Sequence, residues 1–195
     1  MRRLLRAKMS CALLALAACC VLGSARADQQ RDPELKALLQ KIIGNTDCFA
    51  DKFDSEVWYK TMEPRLARLV PSHDARVDIL NHVYCEAKRD PSLELPPDLV
   101  LAMIEVESRF DPWAVSPAGA VGLMQVMPFW PRQLGVQNQL VRVAPNIRMG
   151  CEILRYYLRA ENRNWPRALA RYNGSVGSNT YPALVMQRWQ RVWRF

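Results

Sequence analysis

No internal repeat and no low-complexity tract occurs in the 195 residues, so neither a solenoid nor a long disordered tail is expected. No stretch keeps the period-two alternation of a half-buried strand, which argues against a sheet-based architecture. The longest apolar run, Met9 to Gly23, is too short for a comfortable membrane span. Three of the six cysteines fall within the first 27 residues. The other three, Cys48, Cys85 and Cys151, match no zinc-ligand spacing. What is present is ordinary for a globular protein: 50% of the residues are hydrophobic, and the length suits one domain with a small extension.

Residues 1–27 have the layout of an export signal. Arg2, Arg3, Arg6 and Lys8 precede the apolar run, and Ala25-Arg26-Ala27 reads as a cleavage site that would leave Asp28 as the mature N-terminus. A second reading stands beside it, because Leu16-Ala17-Ala18-Cys19 resembles a lipoprotein box in which Cys19 would carry the lipid and attach the protein to a membrane. Export in either form predicts a periplasmic location. It also changes the electrostatics. Five of the 27 basic residues lie in 1–27 and no acids do, so the mature charge is 22 − 19 = +3 rather than +8. Residues 28–100 carry 10 basic and 14 acidic groups, whereas 101–195 carry 12 arginines, no lysine and 5 acids. A cationic half favours an anionic partner, and export disfavours nucleic acid in that role.

An oxidising compartment makes one disulfide plus one buried thiol the simplest use of three cysteines. The sequence leaves all three pairings open. Cys151 is in helical register with Ile147, Leu154 and Leu158, and the expected bond, Cys48–Cys151, would tie an N-terminal extension (28–85) to a catalytic half (86–195).

Everything after the signal reads as helix, so an all-α fold is expected. Asp32-Pro33-Glu34 opens a short helix with Leu35, Leu38, Leu39, Ile42 and Ile43 inward, closed by Gly44-Asn45. A second begins near Asp54 with Val57, Trp58, Met62, Leu66 and Val70 as its inner stripe, until Pro71-Ser72 breaks it. Ser72 or Asp74 caps a third, with Val77, Leu80, Tyr84 and Ala87 inward. Pro97 begins the next at its first turn, after a linker from Asp90. Pro128–Leu134, Ala144–Ala160, Pro166–Tyr172 and Tyr181–Trp193 complete the set. The six tryptophans are expected in core or boundary positions, and none is assigned to a ligand.

One carboxylate stands out. On the helix from Leu99 to Phe110, residues Leu99, Val100, Met103, Ile104, Val106 and Phe110 cover an arc of about 160°, with Glu107 near its middle. Glu105 points the other way, beside Leu101 and Ser108. A carboxyl among apolar side chains near a helix C-terminus should have a raised pKa, as a general acid working near neutrality needs. After it, Gly119 and Gly122 lie three apart in Ser116–Gln125, spacing that suits a tight turn and then a short apolar helix.

Glu107-Ser108, the S-x-x-G-A-x-G-L-M-Q run at Ser116–Gln125 and Met127-Pro128 together resemble the catalytic domain of the soluble-type (SLT) lytic transglycosylases, relatives of goose-type lysozyme. Asn146–Gly150 (NIRMG) and Ala168–Ser175 (ALARYNGS) resemble two further blocks of that family, the second with Arg171 standing where the family usually has the alanine before the tyrosine. The resemblance implies a lysozyme-like helical domain that cleaves the β-1,4 bond between N-acetylmuramic acid and N-acetylglucosamine in peptidoglycan. Its partner would be the glycan strand with its peptide carboxylates, acted on by a monomer without metal or cofactor. Glu107 would protonate the leaving oxygen and then deprotonate the muramic C6 hydroxyl, closing a 1,6-anhydro ring. Ser116, Met124 and Gln125 would line the site, Tyr172 would approach the carboxyl and Asn173 would shape the groove. A goose-type hydrolase would use the same Glu107 on water, and a wall-binding accessory protein of a secretion machine could keep the groove with weak activity.

Overall fold

The computed structural model describes residues 52–134 and 139–195. The expected export signal, Cys19, the helix expected at Leu35–Ile43 and Cys48 lie outside the described residues. Within them the chain forms helices α1 (Lys52–Leu66), α2 (His73–Lys88), α3 (Pro97–Ser108), α4 (Phe129–Leu134), α5 (Val143–Ala160), α6 (Trp165–Asn173) and α7 (Thr180–Arg188). A π-helical turn, Trp189–Trp193, continues α7. The only extended pairing among these residues is two isolated bridges, Val115 with Val121 and Val121 with Val126. The fold is all-α, and no described helix is long and apolar enough to cross a membrane.

Local chemistry sets the helix boundaries. Of the two candidate caps for α2, Ser72 is the one used: its hydroxyl accepts the Ala75 N–H at 3.3 Å. Pro97 sits at the start of α3, where its missing N–H costs nothing. Asn164 caps α6 by accepting from the Arg167 N–H, and Gly174 ends it at φ +74°.

The central element is α3, and here the stripe expectation needs correcting. Leu99 through Ile104 are all fully buried, Leu101 included, because the helix is apolar nearly all round and is packed on more than one side. Glu105, expected on a solvated face, is buried as well. The C-terminal segment folds over that face: Trp193 Nε1 donates to Glu105 at 2.7 Å and Arg188 pairs with its other oxygen at 2.9 Å. One turn away, Trp189 Nε1 donates to the buried Asp98 at 2.7 Å. Two indoles and a guanidinium thus satisfy acids that would otherwise be costly to bury. Two smaller corrections concern Val57 and Val77, which are exposed at 41% and 38% while their stripe partners Trp58, Met62, Leu66, Leu80 and Ala87 are buried.

One core unites all of this, running from Trp58 and Met62 of α1 through α3 to Tyr181, Val185 and Trp193. Against it, α5 joins α2 through a buried ionic cluster. Arg155, with no exposed surface, donates to the carbonyls of Ala87 at 2.8 Å and Leu93 at 3.1 Å and pairs with Glu152. Glu86 takes Arg89 and Arg148 on the same side. Removing one partner of such a set would strand the other charge, typically at a cost of about 3–5 kcal/mol. The cluster therefore locks α2 onto α5, the helix whose Asn146 backs the Ser116–Gln125 loop.

The expected Cys48–Cys151 bond is not formed. Cys151 is a free, fully buried thiol whose pKa is pushed far up, chiefly by burial. Cys85 is the disulfide-bonded cysteine, and its partner lies outside the described residues. Helical register placed Cys151 inward correctly, but inward here means core rather than a surface where an incoming segment could reach it.

Candidate active site

Helix α3 stops within two residues of Glu107 because Arg109 and Phe110 both adopt left-handed backbone, at φ 55° and 66°. Each such non-glycine residue costs of order 1–3 kcal/mol, so surrounding structure must hold them there. The Arg109 N–H caps the helix on the Glu105 carbonyl, and Phe110 is buried against Trp193, with ring centroids 5.5 Å apart. The chain then turns sharply away from the helix end and runs into the glycine loop.

That loop is held by side chains from several helices. Ser108 Oγ donates to the Leu123 carbonyl at 2.9 Å. Asn146 of α5, fully buried, accepts the Met124 N–H at 2.7 Å and donates to the carbonyls of Val121 at 2.9 Å and Leu140 at 2.8 Å. Tyr172 of α6 donates to the Met124 carbonyl at 2.7 Å. Gly122, at φ +80°, lies so close that an added Cβ would meet the Leu140 carbonyl at 2.2 Å. The close approach anticipated for this glycine is real, but it is to protein backbone. No helix follows it; Val121 and Val126 exchange backbone hydrogen bonds instead, at 2.9 and 3.0 Å.

Glu107 lies in the last turn of α3, beside the Ser108 that holds this loop. Partly exposed, it accepts one described hydrogen bond, from the Tyr181 hydroxyl at 2.5 Å, and forms no ion pair with a described residue. Burial raises its pKa from the ordinary 4.5 to about 7, and the Tyr181 bond works in the opposite direction. Half of these carboxyls would carry a proton near neutrality, so the group can both give and take one. Its neighbouring acids are engaged in structure. Glu105 is held by Arg188 and Trp193, and Asp111, exposed, accepts the Trp113 N–H at 2.8 Å to fix the turn after the helix.

The remaining expected site residues divide. Ser116 is half-buried, and its hydroxyl accepts the Ala120 N–H at 3.0 Å, shaping the turn. Gln125, at φ 49°, spends its amide N–H groups on the carbonyls of Ala114 at 3.2 Å and Gly122 at 3.0 Å, which leaves its carbonyl oxygen for a ligand. Met124 does not line the groove with its side chain: it is fully buried and sits where a Cβ on Gly150 would be, 2.5 Å from its sulfur. Asn173 is exposed at the end of α6. Tyr172 lies near enough to Glu107 to feel its charge, as expected, but its hydroxyl donates to the Met124 carbonyl, and the phenol hydrogen-bonded to the carboxyl is Tyr181. Nothing in the spacing links Tyr181 to Glu107, 74 residues earlier. The available signal was a tyrosine starting an apolar helix straight after the Gly174–Asn179 loop.

A family model described as Transglycosylase SLT domain matches residues 85–182. The chain belongs to that family. The matched segment runs from Cys85 of α2 to Pro182, one residue past Tyr181, and so contains the loop and each side chain that holds it. Among its relatives, "Membrane-bound lytic murein transglycosylase C" of Actinobacillus pleuropneumoniae serotype 5b is 59% identical over 34 residues, 17% of this chain and 9% of that protein. The protein of the same name from Sodalis glossinidius is 39% identical over 74 residues, 37% and 18% of the two chains. A protein named "Transglycosylase" from Enterobacteria phage PRD1 is 34% identical over 99 residues, 48% and 37% of the two chains. The match therefore covers 9% to 37% of the length of these relatives.

Proposed function

We propose that the protein is an exported lytic transglycosylase of the bacterial envelope that cuts the β-1,4 bond between N-acetylmuramic acid and N-acetylglucosamine in peptidoglycan, with Glu107 as sole acid and base. The observation that carries this reading is the state of Glu107: its pKa lies near neutrality, and its described partner is a neutral phenol rather than a cation. Protonated Glu107 gives its proton to the glycosidic oxygen as the C1–O bond breaks, and the substrate's own N-acetyl group stabilises the developing cation. Glu107, now ionised, removes the C6 hydroxyl proton while O6 attacks C1, closing the 1,6-anhydro ring. The proton count returns to its start and no water is consumed.

Ordinary glycosidases place a second carboxylate across the scissile bond as nucleophile or base. The nearest acids in sequence, Glu105 and Asp111, are both engaged in holding structure. That favours a scheme in which one carboxyl serves twice. Tyr181 would orient it, Gln125 would offer its carbonyl oxygen to a sugar, and Ser116 and Asn173 would shape the groove. The test is turnover of purified peptidoglycan by Glu107→Gln, which keeps the shape of the side chain but cannot move a proton. Activity should fall by at least about 10²–10⁴. A variant that retains wild-type turnover would remove Glu107 from the chemistry.

A further inference from the structure

We propose that the cleft between the end of α1 and the C-terminal π-helical turn is a second binding site, one that takes the carboxylates of the peptides hanging from peptidoglycan strands; this rests on the wall-directed reading above. The cleft has a volume of about 560 Å³ and is lined by Arg65, Arg68, Gln190, Arg191 and Arg194, with Pro64 and Val192 as its apolar walls. Glu107 is not among its lining residues, so this is a site apart from the catalytic carboxyl.

The cleft is held in shape by one of its own arginines. Arg65 donates to the carbonyls of Val192 at 3.2 Å and Arg194 at 3.0 Å, fastening α1 to the last turn of the chain. Its three companions, Arg68, Arg191 and Arg194, are exposed and pair with no acid among the described residues. Three acids on the adjoining elements are already used. Glu63 holds Arg76 and His73, Asp98 accepts from Trp189 and from the Phe195 N–H, and Glu105 holds Arg188 and Trp193. Positive charge therefore accumulates in a concavity that has no described counterion of its own.

The form of the cleft favours a compact ligand with several oxyanions. Its volume falls in the range of about 300–1,000 Å³ usual for sites that enclose a small ligand. Guanidinium groups grip carboxylates through paired N–H donors, and Gln190 adds an amide that can match a peptide backbone. A membrane surface would meet a flat basic face, which a recess does not provide. On a polymer that repeats its peptides along the strand, a second weak site would hold the enzyme near the next bond.

The experiment compares full-length Glu107→Gln protein, cleavage-deficient on the reading above, with the same protein carrying Arg68→Gln/Arg191→Gln/Arg194→Gln. Binding to insoluble peptidoglycan is measured at 4 °C, with intact wall and with wall whose peptides have been removed by an amidase. The triple change should weaken binding to intact wall at least about tenfold and leave binding to stripped wall unaltered. Equal affinity of the two proteins for intact wall would overturn the proposal, as would a difference that persists on stripped wall. A difference seen only on phosphatidylglycerol vesicles would reassign the cleft to lipid phosphate and also overturn it. An Arg→Lys triple variant guards against misfolding, and it should recover binding in part because it keeps charge but loses the planar fork. Failure of the wall-cleaving reading has a separate signature: cleavage that survives Glu107→Gln, with the binding difference intact.

Discussion

Replacing Glu107 by Gln should make the protein more stable at high pH and change little at low pH. The folded-state pKa is about 7 against an ordinary 4.5, so between those values the folded chain binds more protons than the unfolded chain does. Stability must then fall as pH rises through that window, because folding there requires either a bound proton or a poorly solvated charge. At about 1.36 kcal/mol per pH unit the gap corresponds to about 3 kcal/mol at full effect. Glu107 keeps some contact with solvent, so about 1–3 kcal/mol is the expected range. Each kcal/mol moves the melting temperature of a chain this size by about 2–4 °C. The assay is thermal or urea unfolding of wild type and Glu107→Gln at pH 4 and pH 8. The two should nearly coincide at pH 4, with Glu107→Gln clearly ahead at pH 8. Parallel curves at the two pH values would mean that Glu107 titrates as an ordinary surface acid, and the argument from burial would collapse.

Tyr181→Phe removes a hydrogen bond that lowers the Glu107 pKa, so the alkaline limb of the kcat/KM profile should move to higher pH while the maximal rate drops through lost orientation; an unmoved limb would remove the phenol from the site's electrostatics. Glu105→Ala leaves the Trp193 indole N–H and Arg188 unpaired around α3 and should cost about 1–3 kcal/mol in urea unfolding, with the pH dependence of the residual activity unchanged. Non-reducing peptide mapping of the full-length protein purified without reductant should find Cys85 in a disulfide and Cys151 as a free thiol, and a bonded Cys151 would contradict the packing of α5.

Much of the site was legible because a few local rules were enough. Pro97, Ser72 and the breaks at Pro71 and Gly174 mark helix ends whatever the tertiary context. A carboxylate with Met103, Ile104 and Phe110 about it has few inexpensive explanations. What stayed hidden depended on partners distant in sequence. Glu105 shares a helix with Leu101, and its burial becomes intelligible only when Trp189 and Trp193, more than eighty residues later, fold across α3. Tyr172 and Tyr181 offer the same chemistry, and only the packing of α6 and α7 decides that the first hydroxyl serves the loop and the second the acid. Met124 lies within a diagnostic run, yet it is its backbone that serves the site while its side chain fills the space over Gly150. Cysteine pairing failed for a related reason, since register shows which way a side chain points but not what arrives there.

The claim that one carboxyl serves as both acid and base is tested most directly by the mass and reducibility of the wall fragments that the full-length protein releases. Digestion of purified peptidoglycan should give muropeptides that each lack one water relative to hydrolysed fragments and resist borohydride, and Glu107→Gln should release almost none. Reducible, hydrated ends would show that water is the acceptor and that a second, unassigned group handles it, which would contradict the account.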